Sequence, residues 1–430
     1  MRARALWLSV ALTACSKAST PDPAAIHASG GVEGAAFGGT PAIARVELRL
    51  RTDGGKERTL SSAPASEGAI LVPDTSPDSV GALALAGLST DGALLTYGRT
   101  PALELAGLAL STVPITVFVS RVGTLARAVR VPHPAQTPRG ALLGSRYLVV
   151  GDATTTTLEV IDLLDLLPSE EVKALDVAPV MLAVAGGALL SIDASGAASI
   201  AQAGSSVRTV PSPPSGSRFA DVLGGTTIVG DDGAAYLVGA TRASGETDLV
   251  LRFASDGTVT ARHLARARSG ASAAWVVGRG LVVVGGASSS ASRTPSVELL
   301  AASASAFSPL PFAEDGTAGA LLLPLDDHRV LRVRADGSVE TLDLACPTAC
   351  APIALPLKLD AITPRADDAA LPLERGGAVL VRSGHVLRLD AALATSSLLI
   401  DSASPVAITA LGTGAIAIAI GGDDVMRTTQ

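Results

Sequence analysis

Gly280-Leu281-Val282-Val283-Val284-Gly285-Gly286 is the stretch from which the fold of this chain is read. Three consecutive β-branched valines favour extended backbone, and the double glycine after them ends the strand in a turn. A small-residue approach, Ser269-Gly270-Ala271-Ser272-Ala273-Ala274, precedes it. A Ser/Thr-rich loop then leads to Val297-Glu298-Leu299-Leu300, and Phe307-Ser308-Pro309-Leu310-Pro311 closes the unit. Weaker copies recur at intervals of roughly 35 to 50 residues, which is a repeat period made of strands alone. They lie at 147–151, 181–187, 233–239 with 248–253, 329–333 turning at Asp336-Gly337 into 339–342, 378–381 with 386–389, and 415–422. Seven inner strands are countable in this way. The pattern predicts a β-propeller of seven blades, with six as the alternative. The last copy has little chain after it, so strands near 126–132 are expected to complete the final blade. Closing the ring removes strand edges that would otherwise invite aggregation.

The unit at 269–311 resembles a kelch repeat. It has the apolar strand, the double glycine, a second strand, and an aromatic about twenty residues after the glycines. That aromatic is Phe307, where the family usually carries Trp, so the match is partial. The kelch-type family includes copper radical oxidases, which need Tyr, Cys and His ligands in quantity. The three tyrosines here, Tyr97, Tyr147 and Tyr236, do not supply such a set, and no cofactor is expected.

Ahead of the repeats, Val46, Leu48 and Leu50 alternate with Arg45, Glu47, Arg49 and Arg51, which predicts a strand with one charged face in solvent. Asp53-Gly54-Gly55 then reads as a hairpin turn. Further short strands are expected near 69–72, 82–88, 93–97, 102–105 and 115–120, separated by Gly, Pro, Asp and Ser clusters. The fold class is therefore all-β. A β-sandwich of Ig-like or carboxypeptidase-regulatory-like kind is expected over 38–124, and the propeller over 125–430. The uncharged run 402–422 is long enough for a membrane helix, but it contains Pro405 and alternates Ala with Ile at period two. Ile416, Ile418 and Ile420 on one face and Ala415, Ala417 and Ala419 on the other suit a strand packed between blades.

The first residues follow an export plan. Arg2 and Arg4 precede an apolar stretch of about ten residues, too short to span a bilayer. Leu12-Thr13-Ala14-Cys15 follows directly and resembles the bacterial lipobox. The resemblance implies a signal peptide over 1–14, an acylated Cys15, and a membrane anchor. Ser16 in place of Asp resembles the sorting pattern for the outer membrane, at its periplasmic face or at the cell surface. Residues 15–37, rich in Ser, Ala, Gly, Thr and Pro, are expected to form a lipidated flexible tether.

Export permits disulfides, and Cys346 and Cys350 are expected to close a small loop that fixes a turn between strands. No further Cys completes a four-thiolate zinc site. The net charge is −7, with the charges scattered, and no basic patch points to nucleic acid. None of the five histidines, His27, His133, His263, His328 and His385, stands in a metal-protease pattern. The pairs Asp231-Asp232, Asp326-Asp327, Asp367-Asp368 and Asp423-Asp424 read as turn residues rather than calcium ligands.

No nucleophile elbow, P-loop or dinucleotide fingerprint follows a strand, so neither catalytic nor metal-binding residues are assigned. The expectation is a membrane-anchored envelope lipoprotein whose propeller binds a protein or surface polysaccharide without catalysis. The alternative is a hydrolase or lyase with its site in the central channel. The loops 240–247 and 288–294 follow strands read as inner, and Arg242, Glu246 and Arg293 are the side chains there suited to polar recognition.

Overall fold

The computed structural model describes residues 25–428, apart from 35–36, 53–55, 66–69, 72–79, 106–114, 167–172, 203–205, 215, 290–295, 412 and 424. Cys15, its leader, Arg293 and the Asp53-Gly54-Gly55 turn lie outside the described residues.

Seven four-stranded antiparallel sheets follow one another from residue 125 onward. Blade 1 begins with Pro138–Leu143, blade 2 with Met181–Ala185, blade 3 with Thr226–Val229 and blade 4 with Ser272–Val276. Blade 5 begins with Leu321–Pro324, blade 6 with Ala369–Pro372 and blade 7 with Val406–Ala410. These first strands touch one another in sequence, and the last touches the first, so the seven sheets stand around a closed ring. Blade 7 takes three strands from the end of the chain. Its fourth, Leu125–Val129, comes from the start of the propeller and pairs antiparallel with Val425–Thr428. The expected closure of the ring is thus observed as a strand-to-strand ladder. Among the described residues no helix is long and apolar enough to cross a membrane, and 402–422 holds the strands Val406–Ala410 and Ile416–Ile420.

One expectation about the repeat is corrected. Six of the seven strands read as innermost are second strands, and Met181–Ala185 alone lines the centre. The reason is burial. A second strand is covered on both faces by neighbouring blades, as in Gly280–Val284 and Ala378–Arg382, where every residue is buried. It therefore reads as a continuous apolar run. First strands such as Thr226–Val229 and Ala369–Pro372 are mostly half-exposed, and small or mixed residues suffice there.

The Ala/Ile alternation of Ile416–Ile420 serves two interfaces. Ile416, Ile418 and Ile420 pack on Val379, Val381 and Val386 of blade 6. Ala415, Ala417 and Ala419 face Leu148, Val150 and Ile161 of blade 1. Each buried Ile contributes about 1.5–3 kcal/mol of transfer free energy, while the alanines let the blade 1 side chains approach.

The N-terminal domain is a sandwich of two sheets. One runs in the order Glu57–Pro64, Arg45–Thr52, Val80–Leu88, Leu94–Arg99, Ser120–Arg121, with Leu103–Glu104 also on Val80–Leu88. The other has Ala25–Ser29 between Ile70–Leu71 and Ile115–Phe118. Leu48, Leu50, Leu83 and Leu85 of the first meet Ile115 and Val117 of the second in the core. Residues 25–29 were expected in the tether. They form instead a strand paired in parallel with Ile115–Phe118, from Ile26↔Ile115 to Ser29↔Phe118. Two inward apolar residues, Ile26 and Ala28, are too few to mark a strand in sequence; the partner strand holds it.

The sandwich rests on the propeller. Antiparallel strands place the first-to-second and third-to-fourth loops of every blade on one face, and the sandwich docks there; the opposite face is called the open face below. Gly31, at φ +73°, lies so close to Leu125–Val129 that a Cβ would stand 2.0 Å from the Arg127 carbonyl oxygen. Phe118 stacks on the guanidinium of Arg427, 4.5 Å from its ring centre, and Arg427 Nη2 donates to Thr413 Oγ1 at 3.0 Å. Complete burial lowers the Arg427 pKa to about 9.

The charged face of Arg45–Thr52 is likewise not the solvated surface expected of it. Arg49 reaches both Glu47 and Glu57, and Tyr97 donates to Glu57 at 2.6 Å. Arg51 and Arg99 meet Glu374 of blade 6. Charges on one strand face are as useful for docking against a second domain as for solvation, and sequence period alone does not separate the two uses.

Candidate functional site

Three places on the propeller could meet a ligand: the channel wall, the loops of the open face, and a cleft between blades 4 and 5.

The channel wall is built from the seven first strands. Among their residues the one ionisable side chain is Arg139. Its Nε donates to the Val180 carbonyl at 2.7 Å and its Nη1 to Pro138 O at 2.8 Å, while burial lowers its pKa. The guanidinium thus joins the first strand of blade 1 to the approach of blade 2.

On the open face, Arg242 and Glu246 sit in the connection between Ala235–Val238 and Thr247–Phe253 of blade 3. Arg242 closes its own loop, donating from Nε to Gly245 O at 3.2 Å and from Nη1 to Ala220 O at 3.4 Å. Glu246 reaches across to blade 4, where it accepts from Ser288 Oγ at 3.3 Å and from the Ser289 N–H. The two loops singled out in sequence therefore meet through Glu246 and Ser288. Arg293 lies outside the described residues. Further stitches hold this face. Asp152 accepts from the N–H groups of Gln136 and Thr137, and Asp367 from that of Val406. Asp368 accepts from the N–H of Ser383, and burial raises its pKa.

Sequence reasoning missed the cleft between blades 4 and 5. It encloses about 220 Å³, with Val297, Phe312 and Leu342 as apolar walls and Asp315, Arg332 and Arg334 as a charged floor. Arg332 lies in the strand Arg329–Val333 and Arg334 just past its end, and both guanidinium groups reach Asp315. The hairpin at Asp336-Gly337 sets Arg332 directly opposite Glu340. Asp315 Oδ2 accepts from Arg332 Nη2 at 2.6 Å and from Arg334 Nη2 at 2.9 Å. Glu340 accepts from the Nε of both arginines. Burial would raise the Asp315 pKa. Hydrogen bonds from the Thr317 hydroxyl and N–H, with the Arg332 charge, outweigh it and hold the carboxyl at about 2. Asp315 and Glu340 engage the two arginines and Glu314 also lines the cleft, so three carboxylates face two guanidinium groups and the floor does not favour an anion. The pairing was legible in part, because the turn fixes the cross-strand register; Asp315 arrives from the inter-blade link, which carries no pattern.

Cys346 and Cys350 are bonded, with Cα atoms 5.8 Å apart. The Cys350 N–H donates to Pro311 O at 2.9 Å, so the bridged loop is tied to the link between blades 4 and 5 beside the cleft. Asp424 lies outside the described residues; Asp232 and Asp326 serve turns. Asp232 accepts from the Ala234 N–H, and Asp326 from those of His328 and Arg329. Asp326, Asp327 and His328 have ligand atoms within 4.8 Å of one another; Asp326 pairs with Arg329 at 2.6 Å and His328 with Asp327 at 2.6 Å.

No family model and no curated protein matches the chain. Among solved structures it is similar to the WD40 β-propeller domain of Doa1, at 9% identity and a TM-score of 0.46 over 71% of this chain and 96% of that one. It is also similar to YCF48 from Cyanidioschyzon merolae, at 12% identity and 0.45 over 71% and 99%. The computationally designed Ika8 protein matches at 14% identity and 0.38 over 83% and 95%. At those values the propeller assignment stands on the seven sheets and their ring of contacts.

Proposed function

We propose that the chain is a lipid-anchored cell-envelope scaffold, held to the outer membrane through an acylated Cys15, whose kelch-like propeller binds a protein or surface polysaccharide without chemical turnover. The observation that carries this reading is the channel wall: seven strands whose one ionisable side chain, Arg139, is engaged by backbone carbonyls. General acid–base or nucleophilic work at the ring centre needs paired titratable groups, whereas a wall of Ala, Val, Leu and Thr supports a rigid frame that presents loops. Chain order places the sandwich between the anchor and the propeller, and the open face, with the Glu246 bridge, is turned from the sandwich.

Site-specific photo-cross-linking in whole cells tests the reading. A benzophenone side chain is placed singly at Arg242, Ser289 and Val277. The scaffold reading expects a discrete adduct, or a polymer ladder, from at least one of these positions. No adduct from any of them would overturn it.

A further inference from the structure

Four blades join their first and second strands by the same five-residue turn. In blade 6 the Leu373 N–H donates to Gly377 O, and the Gly376 N–H to Leu373 O. Gly230, Gly233 and Ala234 repeat this in blade 3, and Leu411, Gly414 and Ala415 in blade 7; in blade 5 the Leu325 N–H donates to Arg329 O. The second position of the turn is acidic in three of them: Glu374 in blade 6, Asp231 in blade 3 and Asp326 in blade 5.

What these acids hold differs. Glu374 receives Arg51 and Arg99 from two strands of the docked sandwich. Asp326 is committed to Arg329 of its own blade, and the next residue, Asp327, holds His328 at 2.6 Å while 81% of its side chain stays exposed. Asp231, the counterpart of Glu374, accepts the Gly278 N–H of blade 4 at 3.0 Å. Two apolar side chains stand in the open beside this turn, Val229 at 57% exposure, two residues before Asp231, and Val277 at 68%, next to the Gly278 that Asp231 holds. Three basic side chains near these acids are already engaged: Arg279 donates to the carbonyls of Asp327, at 2.7 Å, and Leu344, at 3.3 Å, Arg329 pairs with Asp326, and Arg252 with Asp232. The rim over blades 3 to 5 therefore repeats the acidic docking position that the sandwich uses on blade 6, with apolar surface added.

We propose that this rim, Val229 and Val277 flanked by Asp231 and Asp327, docks an extended segment of a partner protein that carries arginine beside an apolar side chain. The occupant's chemistry is taken from the same face, where two extended strands of the sandwich, one bearing Arg51 and the other Arg99, already lie on Glu374. Apolar contact supplies the anchor and the carboxylates supply the register. The proposal rests on the scaffold reading above and names the surface and partner class.

Peptide selection tests it. A displayed library of random twelve-residue peptides is selected on the purified full chain, and winners are titrated against wild type, Val277→Asp and the double variant Asp231→Asn/Asp327→Asn. Thermal melts check that each variant folds; Val277→Ser replaces any that does not. The expected winners place Arg within two residues of an apolar side chain. Their binding is weakened about tenfold by either change, the loss of a charge-assisted hydrogen bond or of an apolar anchor. Winners without a cation, winners that bind all forms within about twofold, or no winners at all would each overturn the proposal. A cross-link found on the open face together with any of those results would retain the scaffold and discard this rim.

Discussion

Glu374 of blade 6 receives Arg99 of the sandwich on both carboxylate oxygens, at 3.1 Å to each. Arg51 meets the same carboxylate, and Arg375 beside it stacks 4.9 Å from the Tyr97 ring centre. Two residues of one turn thus hold the sandwich by charge and by ring. The joint is polar and partly shielded, since the Arg99 side chain is 8% exposed. Glu374→Ala leaves that guanidinium short of its partner. The expected cost is about 1.5–3 kcal/mol, together with faster proteolysis in the connection 122–124. Urea titration and limited digestion check both, and a variant with unchanged midpoint and digestion pattern would contradict the joint.

Arg268 and Glu298 pair at zero exposure inside the contact of blades 3 and 4, and the same Glu298 accepts the Ala265 N–H at 2.8 Å. Removing one partner strands a buried charge. Glu298→Ala is expected to lose about 3–5 kcal/mol, and Arg268→Met/Glu298→Leu less than that single change, because the double variant leaves no lone charge behind. Chemical denaturation of both variants decides it; a double variant worse than Glu298→Ala would show that the pair is worth more than its desolvation.

Asp315 makes stability depend on acid. Its carboxyl is held at about 2 against an ordinary 3.8. A depressed carboxylate contributes stability above its unfolded pKa and loses it as pH falls through the folded one. Asp315→Asn should therefore be less stable than wild type at pH 7 by about 1–3 kcal/mol, with the gap closing between pH 3.8 and about 2. Melting curves at stepped pH show the closure or its absence. A gap that is constant down to pH 2 would assign the effect to shape rather than charge.

Much of the fold was legible because burial on both sides leaves a mark. Gly280–Val284 and Ile416–Ile420 are apolar on both faces, and their spacing counted seven blades. The same rule hid innermost strands such as Thr226–Val229 and Ala369–Pro372, whose half-exposed residues need no pattern. Glu57–Pro64 was missed because its residues are mostly half-exposed or exposed, and Ala25–Ser29 because a parallel partner nearly ninety positions away holds it. Glu246 was found from its loop. The Asp315 floor and the Glu374 joint were not, since each joins residues from distant segments.

The Ala/Ile strand of blade 7 makes a further test. Ile418 is fully buried toward blade 6, and Ala417 faces blade 1. Ile418→Ala is expected to lose about 2–5 kcal/mol by opening a cavity, and Ala417→Leu about 1–3 kcal/mol by overpacking. Equilibrium unfolding of the two variants measures both faces of one strand. Indifference to Ala417→Leu would mean that blade 1 does not press on this strand.

The measurement that bears most directly on the proposed anchored scaffold is incorporation of labelled palmitate into wild type and Cys15→Ala in growing cells, with membrane fractionation. The account predicts label and membrane association in wild type and loss of both in the variant. Wild-type protein that takes up no label and fractionates with soluble material would contradict it.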